Sequence, residues 1–409
     1  MEIWIPYGET EVRVGVRTEN LVGIAQPKDI FTILNPKLAL AETISNIRGG
    51  HSLDRVLSHD DKVVLTVDLP PTNKYFELID LLLFEILNLV DINRISVLWV
   101  QNDGWPPVQN GLKSDVKNFT VLNHTKPELT TAKECVEKNL MVCKEFNEAS
   151  LRILVGKVGF DPVWGYTGGV KTILSLMNTQ ARTEFYRRLV LAQIENGSSD
   201  LDNAKDLESI LSPDGSSLML SVVESIDGGI AGIFSGTFDE SFRLSKEFID
   251  EHCRIGLDKG VDILIVGAGG RPYDYTLFSS LDSAIMNTGV LKRGGVLILV
   301  AECMGGCGSD VFREWMFKGW DPEKLKSMLK RNFEIGAEKA YLLTKLLEEF
   351  RLYLVSVMPD YYVKNIFRLK SSRTVNDALQ HALRILGRES EIAVAPYGSL
   401  TQTLIKPRS

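Results

Sequence analysis

Histidine and cysteine, the residue types most often used for metal and nucleophilic chemistry, are scarce: five of each in 409 residues. The cysteines (Cys135, Cys143, Cys253, Cys303, Cys307) are odd in number and scattered, which argues against a disulfide scaffold and fits a reduced, cytoplasmic protein. The histidines (His51, His59, His124, His252, His381) form no H-x-x-x-H or H-x-H pair, so no single element offers two imidazoles to one metal. His124, in Leu122-Asn123-His124-Thr125, is the best placed of them, near an expected strand end. Cys303-Met304-Gly305-Gly306-Cys307 has ligand-like spacing but no second pair nearby, and reads as a glycine-rich turn holding two small thiols. No Gly-x-Ser-x-Gly elbow is present to start Ser/His/Asp catalysis.

An excess of positive charge is also missing. A formal net charge of -7 and a pI near 5.5 argue against a general nucleic-acid or anionic-membrane surface. Long apolar runs are absent too: Leu78 to Val90 is too short to span a bilayer and carries Asp80 and Glu85. The start, Met1-Glu2-Ile3-Trp4-Ile5-Pro6, has neither the basic nor the apolar region of an export signal, in keeping with a cytoplasmic location. No internal repeat, heptad pattern or low-complexity tail is visible.

What remains is an α/β protein. Glu11 to Val16 alternates like a strand and Leu38 to Ile47 like a helix. Lys62 to Asp68 is an apolar β-rich run, Tyr75 to Val90 an amphipathic helix, and Arg94 to Val100 a second β-rich run, the order of a parallel βαβ unit. A helix is expected over Thr131 to Phe146, a strand over Leu151 to Val155, and loops over Asn196 to Asp200 and Leu211 to Gly215. The strand Leu218 to Val223 should turn at Ile226 to Ile230 into the next, before a helix over Glu240 to Gly256. A second α/β unit begins at Val261 to Gly270 and continues through a helix near Leu277 to Thr288, a strand Gly295 to Ala301 and helices within Pro322 to Phe350. A strand Leu352 to Val357 and a helix Val375 to Leu386 complete it. This gives two α/β domains with mainly parallel sheets and an interdomain cleft, at 1–257 and 258–389. The last β-like run, Glu391 to Pro396 within 390–409, could return to either.

The most informative stretch is Gly165-Tyr166-Thr167-Gly168-Gly169-Val170-Lys171-Thr172, which sets a lysine directly after a glycine-rich bend opening a helix. Glycines permit positive φ and close backbone approach, and a helix start favours an anion. The run is close to the phosphate loop of nucleotide-hydrolysing proteins, but Val170 stands where the second glycine must curl against phosphate, which argues against a nucleoside triphosphatase. A plain strand-to-helix turn with a solvated lysine is the other reading. Because parallel sheets bind ligands at the carboxyl edge, Asp68 and the segment Gln101-Asn102-Asp103-Gly104-Trp105-Pro106 are candidate site walls. Gly267-Ala268-Gly269-Gly270 is only partly like a dinucleotide fingerprint, since Pro272 stands at the third glycine, and a strand-end turn fits it better.

The order of these landmarks resembles the nickel-pincer lactate racemase family over nearly the whole chain. Thr66-Val67-Asp68-Leu69-Pro70-Pro71-Thr72 is similar to that family's Ser-Asp-His-Thr-Arg-Pro, and the glycine-lysine run to its Gly-Phe-Ser-Gly-Gly-Arg-Lys-Ser. Gly269-Gly270-Arg271-Pro272-Tyr273-Asp274 resembles its Gly-Gly-Tyr-Pro-Leu-Asp, and Val394-Ala395-Pro396-Tyr397-Gly398 its Val-Ile-Pro-Asp-Gly. The resemblance implies a racemase- or epimerase-like isomerase of a 2-hydroxy acid or related small organic acid. It also implies a nickel-pincer pyridinium mononucleotide held covalently by Lys171, whose carbon accepts and returns a hydride.

The departures lie where that chemistry is operated. Asp161 replaces the histidine ten residues before the lysine, Trp105 replaces a second, and Met177 to Arg182 carries no counterpart of the metal-ligating third. The strand-end arginine becomes Pro71, and the glutamine and lysine after Gly-Gly-Tyr-Pro-Leu-Asp fall at Tyr275 and Asp282. Asp161, Lys171 and Asp103 are therefore the candidate catalytic residues. Lys171, Gly165, Thr167, Gly168, Gly169, Thr172 and Asp68 are the candidate cofactor-binding residues, and no metal ligand is assigned. Asp161 before Pro162 also fits a turn-capping role. The expected partner is a small-molecule anion, with no nucleic acid and no membrane. A non-catalytic binding protein that keeps the fold, and a nickel-free enzyme holding a phosphate-containing ligand at the Gly165 to Lys171 loop, are the two alternatives.

Overall fold

The computed structural model describes residues 1–45, 57–102, 104–122, 129–131, 141–177, 179–196, 217–319 and 321–407. Two six-stranded sheets organise them. The first runs, in spatial order, Ile230–Gly236, Ser217–Glu224, Leu151–Lys157, Val63–Asp68, Ile95–Val100, Asn118–Leu122. All its pairings are parallel except the hairpin that joins Ser217–Glu224 to Ile230–Gly236. Its central strands read as continuous apolar runs because helices cover both faces. Leu65, Val97, Ile153 and Leu220 are fully buried on one face, against Leu78, Ile79 and Leu82 of the helix Asn73–Leu87.

The second sheet is wholly parallel, in the order Lys370–Ser372, Arg351–Val355, Leu291–Val300, Val261–Gly267, Ile392–Ala395, Leu21–Ile24. The helices Leu277–Asn287, Ala337–Glu349 and Val375–Leu386 pack against it. A hairpin of Glu2–Tyr7 and Thr10–Gly15 closes one face, with Ile5 and Val14 fully buried beside Ile263, Ile265 and Ile298. The strand at Ile392–Ala395 thus belongs to the second sheet, and so does a segment near the amino end. The 258–389 span holds four of the six strands, from the Lys370–Ser372 edge to Val261–Gly267.

Most expected elements are present, and three differ. Over Thr131 to Phe146 the described residues form strands Leu129–Thr131 and Met141–Cys143, paired antiparallel, then a short helix Lys144–Glu148. A helix-like period there is overridden by pairing between segments that sequence alone does not bring together. The helix Phe238–Cys253 stops early because Arg254–Leu257 pairs with Gln402–Ile405. The helix after the glycine bend is only Val170–Leu174, and a longer one, Thr179–Asn196, follows it. The loops expected at Asn196 to Asp200 and Leu211 to Gly215 lie outside the described residues, Asn196 excepted, as do His51, His124, Cys135 and Asp103. Among the described residues no helix is long and apolar enough to cross a membrane.

Ile265 is fully buried in the strand that pairs on both sides within the second sheet. Truncation by Ile265→Ala should cost about 2–5 kcal/mol, the sum of lost transfer energy and a cavity. Urea unfolding should show this as a lower midpoint with an unchanged slope.

Candidate functional site

Three neighbouring strands of the first sheet end in ionisable residues on one edge: Asp68, Lys157 and Glu224. The ends of parallel strands collect there by topology, as in other open α/β sheets. From the second sheet, the loop after Val261–Gly267 contributes Tyr273, and the turn after Ile392–Ala395 contributes Gly398 and Ser399. With Phe278, Asp282, Glu338 and Lys339 from two helices, these residues line a pocket of about 200 Å³, except Glu224, which stands behind Lys157.

Lys171 and Asp161 meet in this pocket. Phe160–Asp161 and Gly165–Tyr166 pair antiparallel around a tight turn. Asp161 Oδ1 accepts the N–H groups of Val163 at 2.8 Å and Trp164 at 2.9 Å, while Oδ2 accepts from Lys171 Nζ at 2.9 Å. Oδ1 thus caps the turn, one of the roles expected for Asp161, while Oδ2 forms an ion pair that the sequence did not suggest. Burial pushes the Asp161 carboxyl up, but the Lys171 charge and the two N–H groups outweigh it and hold it below the usual range. Burial by itself would lower the Lys171 ammonium; Asp161 more than reverses this and keeps it above the usual lysine range.

The glycines do what their conformations require. Gly168 has φ +78°, and a Cβ there would lie 2.8 Å from Val158 Cγ2 and 3.0 Å from the Lys157 carbonyl oxygen. Gly169, at φ +55°, precedes the first helical residue. The N–H of Thr167 donates to Gly159 O at 2.8 Å, that of Lys171 to Gly168 O at 3.2 Å and that of Thr172 to Gly169 O at 3.1 Å. Those three donors are engaged inside the protein rather than offered to a phosphate. Thr167 and Gly168 line the pocket, whereas Gly165, at φ +76°, shapes the turn from outside it.

Asp68 is 7 % exposed and ties the strand end to the helix start. It accepts from Asn102 Nδ2 at 2.6 Å and from the buried Thr172 hydroxyl at 3.3 Å. Burial raises its carboxyl above the usual range, against the opposing pull of Lys171. Asp103 lies outside the described residues; its neighbours Asn102 and Trp105 line the pocket. Leu69 is fully buried in the core of the first sheet and neither it nor Tyr275 lines the pocket, while Asp282 does, paired with Lys339.

Several pocket residues carry no local signal in sequence. Glu338, in the helix Ala337–Glu349, is 2 % exposed and accepts the Gly336 N–H at 2.7 Å. Burial pushes its carboxyl up to about 7. Tyr186 stands edge-on to Trp164 at 4.9 Å, and burial raises its phenol. Lys157 and Glu224 form a buried ion pair of 3.0 Å. A lysine closing an apolar strand was the one available hint, and only the sheet order supplies its partner.

A nickel pincer does not fit this donor set. Nickel favours imidazole and thiolate, and among the described residues no histidine or cysteine lines the pocket. Among the described residues no three His, Cys, Asp or Glu side chains group to hold a metal. An acyl link at Lys171 Nζ would also remove its charge and leave the buried Asp161 carboxylate unpaired, a loss on the order of 3–5 kcal/mol.

Residues 258–401 match the family model described as the lactate racemase C-terminal domain. The lactate racemase of Thermoanaerobacterium thermosaccharolyticum is 28% identical over 185 residues, spanning 44% of this chain and 43% of that protein, less than half of either. The lactate racemase of Lactiplantibacillus plantarum is 19% identical over 431 residues, spanning 96% of this chain and 97% of that one. Among solved structures, the lactate racemase apoprotein from T. thermosaccharolyticum superposes with a TM-score of 0.78 at 22% identity, covering 98% of this chain and 100% of that one. A structural-genomics protein from Thermotoga maritima gives 0.65 at 15% identity, covering 93% and 100%. At those identities the two structures support the fold.

The unfolded-state glutamate titrates near its ordinary value of 4.5, and Glu338 titrates near 7 in the folded protein. The folded state binds the extra proton between these values, so this group's contribution to stability is present below about 4.5 and is lost as pH rises to about 7. Glu338→Gln should flatten that decline in thermal unfolding, and carbon NMR should place the Glu338 carboxyl titration near neutrality.

Proposed function

We propose that this chain, a lactate racemase-like protein, is an epimerase-type enzyme for a small organic acid that moves a proton between buried carboxyls and leaves Lys171 unmodified. The observation that carries the reading is the Lys171–Asp161 ion pair in a pocket whose described lining holds no imidazole or thiol. Asp161 is a poor proton acceptor, because Lys171 and two backbone N–H groups hold its carboxyl ionised. Its role is to keep Lys171 charged and in place.

Asp68 and Glu338 suit proton transfer better. Both carboxyls are raised by burial, and they reach the same pocket from different sheets. Epimerisation by this route takes the hydrogen from the carbon next to the substrate carboxylate, places negative charge on the carboxylate oxygens, and returns a proton from the other side. The ammonium groups in the wall stabilise the developing charge.

Two measurements test this. Protein made alongside pincer-building enzymes should have the mass of the unmodified chain and no stoichiometric nickel; an adduct on Lys171 with nickel would overturn the proposal. In D2O, a substrate 2-hydroxy acid should gain deuterium at the carbon bearing the hydroxyl, and Asp68→Asn or Glu338→Gln should each slow this about 100-fold or more. Acid binding without exchange or adduct would instead assign the chain a receptor role.

A further inference from the structure

We infer that Lys157 is the residue that binds the carboxylate of the substrate. The inference rests on the reading that the pocket takes a small organic acid, and it adds where the anionic group docks. Among the described residues four cations line the pocket: Lys157, Lys171, Lys339 and Arg182. Lys171 is matched by Asp161 and Lys339 by Asp282, and Arg182 is itself engaged by the protein. Lys157 differs, because it shares its carboxylate.

Glu224 carries both lysines: Lys157 reaches Oε2 at 3.0 Å and Lys74 bonds Oε1. The Tyr273 hydroxyl, from the second sheet's loop, also donates to Glu224 Oε2. Two ammonium groups therefore face one carboxylate that is 5 % exposed. Within these three side chains that leaves one positive charge in excess, and with Lys157 largely withdrawn from water an incoming anion is favoured there. Lys74 stands outside the pocket and Lys157 lines it, so the excess charge is accessible to a ligand at Lys157.

The geometry of the ammonium agrees. One of its three donors is directed to Glu224, and the Tyr273 ring stands 3.8 Å from Nζ, leaving a further donor for a ligand. Burial pulls the Lys157 ammonium below the usual range despite Glu224, and a bound carboxylate would relieve that strain on the charge. Phe278, Met286 and Ile335 form apolar wall in the same pocket, which suits an acid with a short hydrocarbon tail.

The test uses 2-hydroxy-4-methylpentanoate and its neutral amide as probes, titrated calorimetrically into the full chain. Lys157→Met should weaken the acid about tenfold or more, as expected for loss of a charge-assisted bond. Amide binding should stay within about twofold, and Lys157→Arg should restore most of the affinity for the acid. Lys74→Met, outside the pocket, should also weaken the acid, because it leaves Lys157 and Glu224 as a balanced pair; this variant carries the test if Lys157→Met does not fold. Equal acid affinity in wild type and both Met variants, or equal losses for acid and amide, would overturn the assignment while leaving the proposed function standing. A wild-type chain that binds neither probe defeats both.

Discussion

An ammonium group withdrawn from water must find an anion, and that requirement arranges the interior of this protein. Lys171 is held by Asp161, Lys339 by Asp282, and Lys157 with Lys74 by Glu224. None of these side chains could be buried singly without several kcal/mol of desolvation cost, so each fixes its partner's position. The pocket wall is consequently built from paired charges on strand ends and helices, with one cation in excess where Lys157 and Lys74 share Glu224, and its chemistry is pre-set before any ligand arrives.

Charge pairing also accounts for what stands beside Lys171. The likeness to the solved lactate racemase apoprotein spans the fold, and residues 258–401 match the model of the lactate racemase C-terminal domain. Ten residues before the lysine, where the resemblance implies an imidazole, this chain has a carboxylate, and that carboxylate is the counter-ion of Lys171. Gly168 and Gly169 keep their positive φ, so the backbone bend is independent of the side chains it presents.

What could be read in advance follows from the range of the signal. Asp68 at a strand end, the glycine bend and Lys171 are each legible from a short local stretch, and in the structure Asp68, Gly168 and Lys171 line one pocket. The Lys157–Glu224 and Lys339–Asp282 pairs are not, because each joins residues far apart in the chain that only the sheet order and helix packing bring together. Glu338 and Lys339 sit in a helix whose composition looks solvent-facing, yet both are almost fully buried. The helix expected over Thr131 to Phe146 is replaced at Thr131 and Met141–Cys143 for the same reason: a ladder between separated segments, not local propensity, sets the conformation there.

The edge strand Leu21–Ile24 pairs with Ile392–Ala395, and the whole first sheet and the rest of the second lie between them along the chain. During translation Leu21–Ile24 must therefore wait, without its sheet neighbour, until those segments have been made. The first sheet has all six of its strands by Gly236 and can close on its own core before that. The second sheet is completed only when these two distant strands pair, so the pocket, which draws on both sheets, cannot be complete earlier.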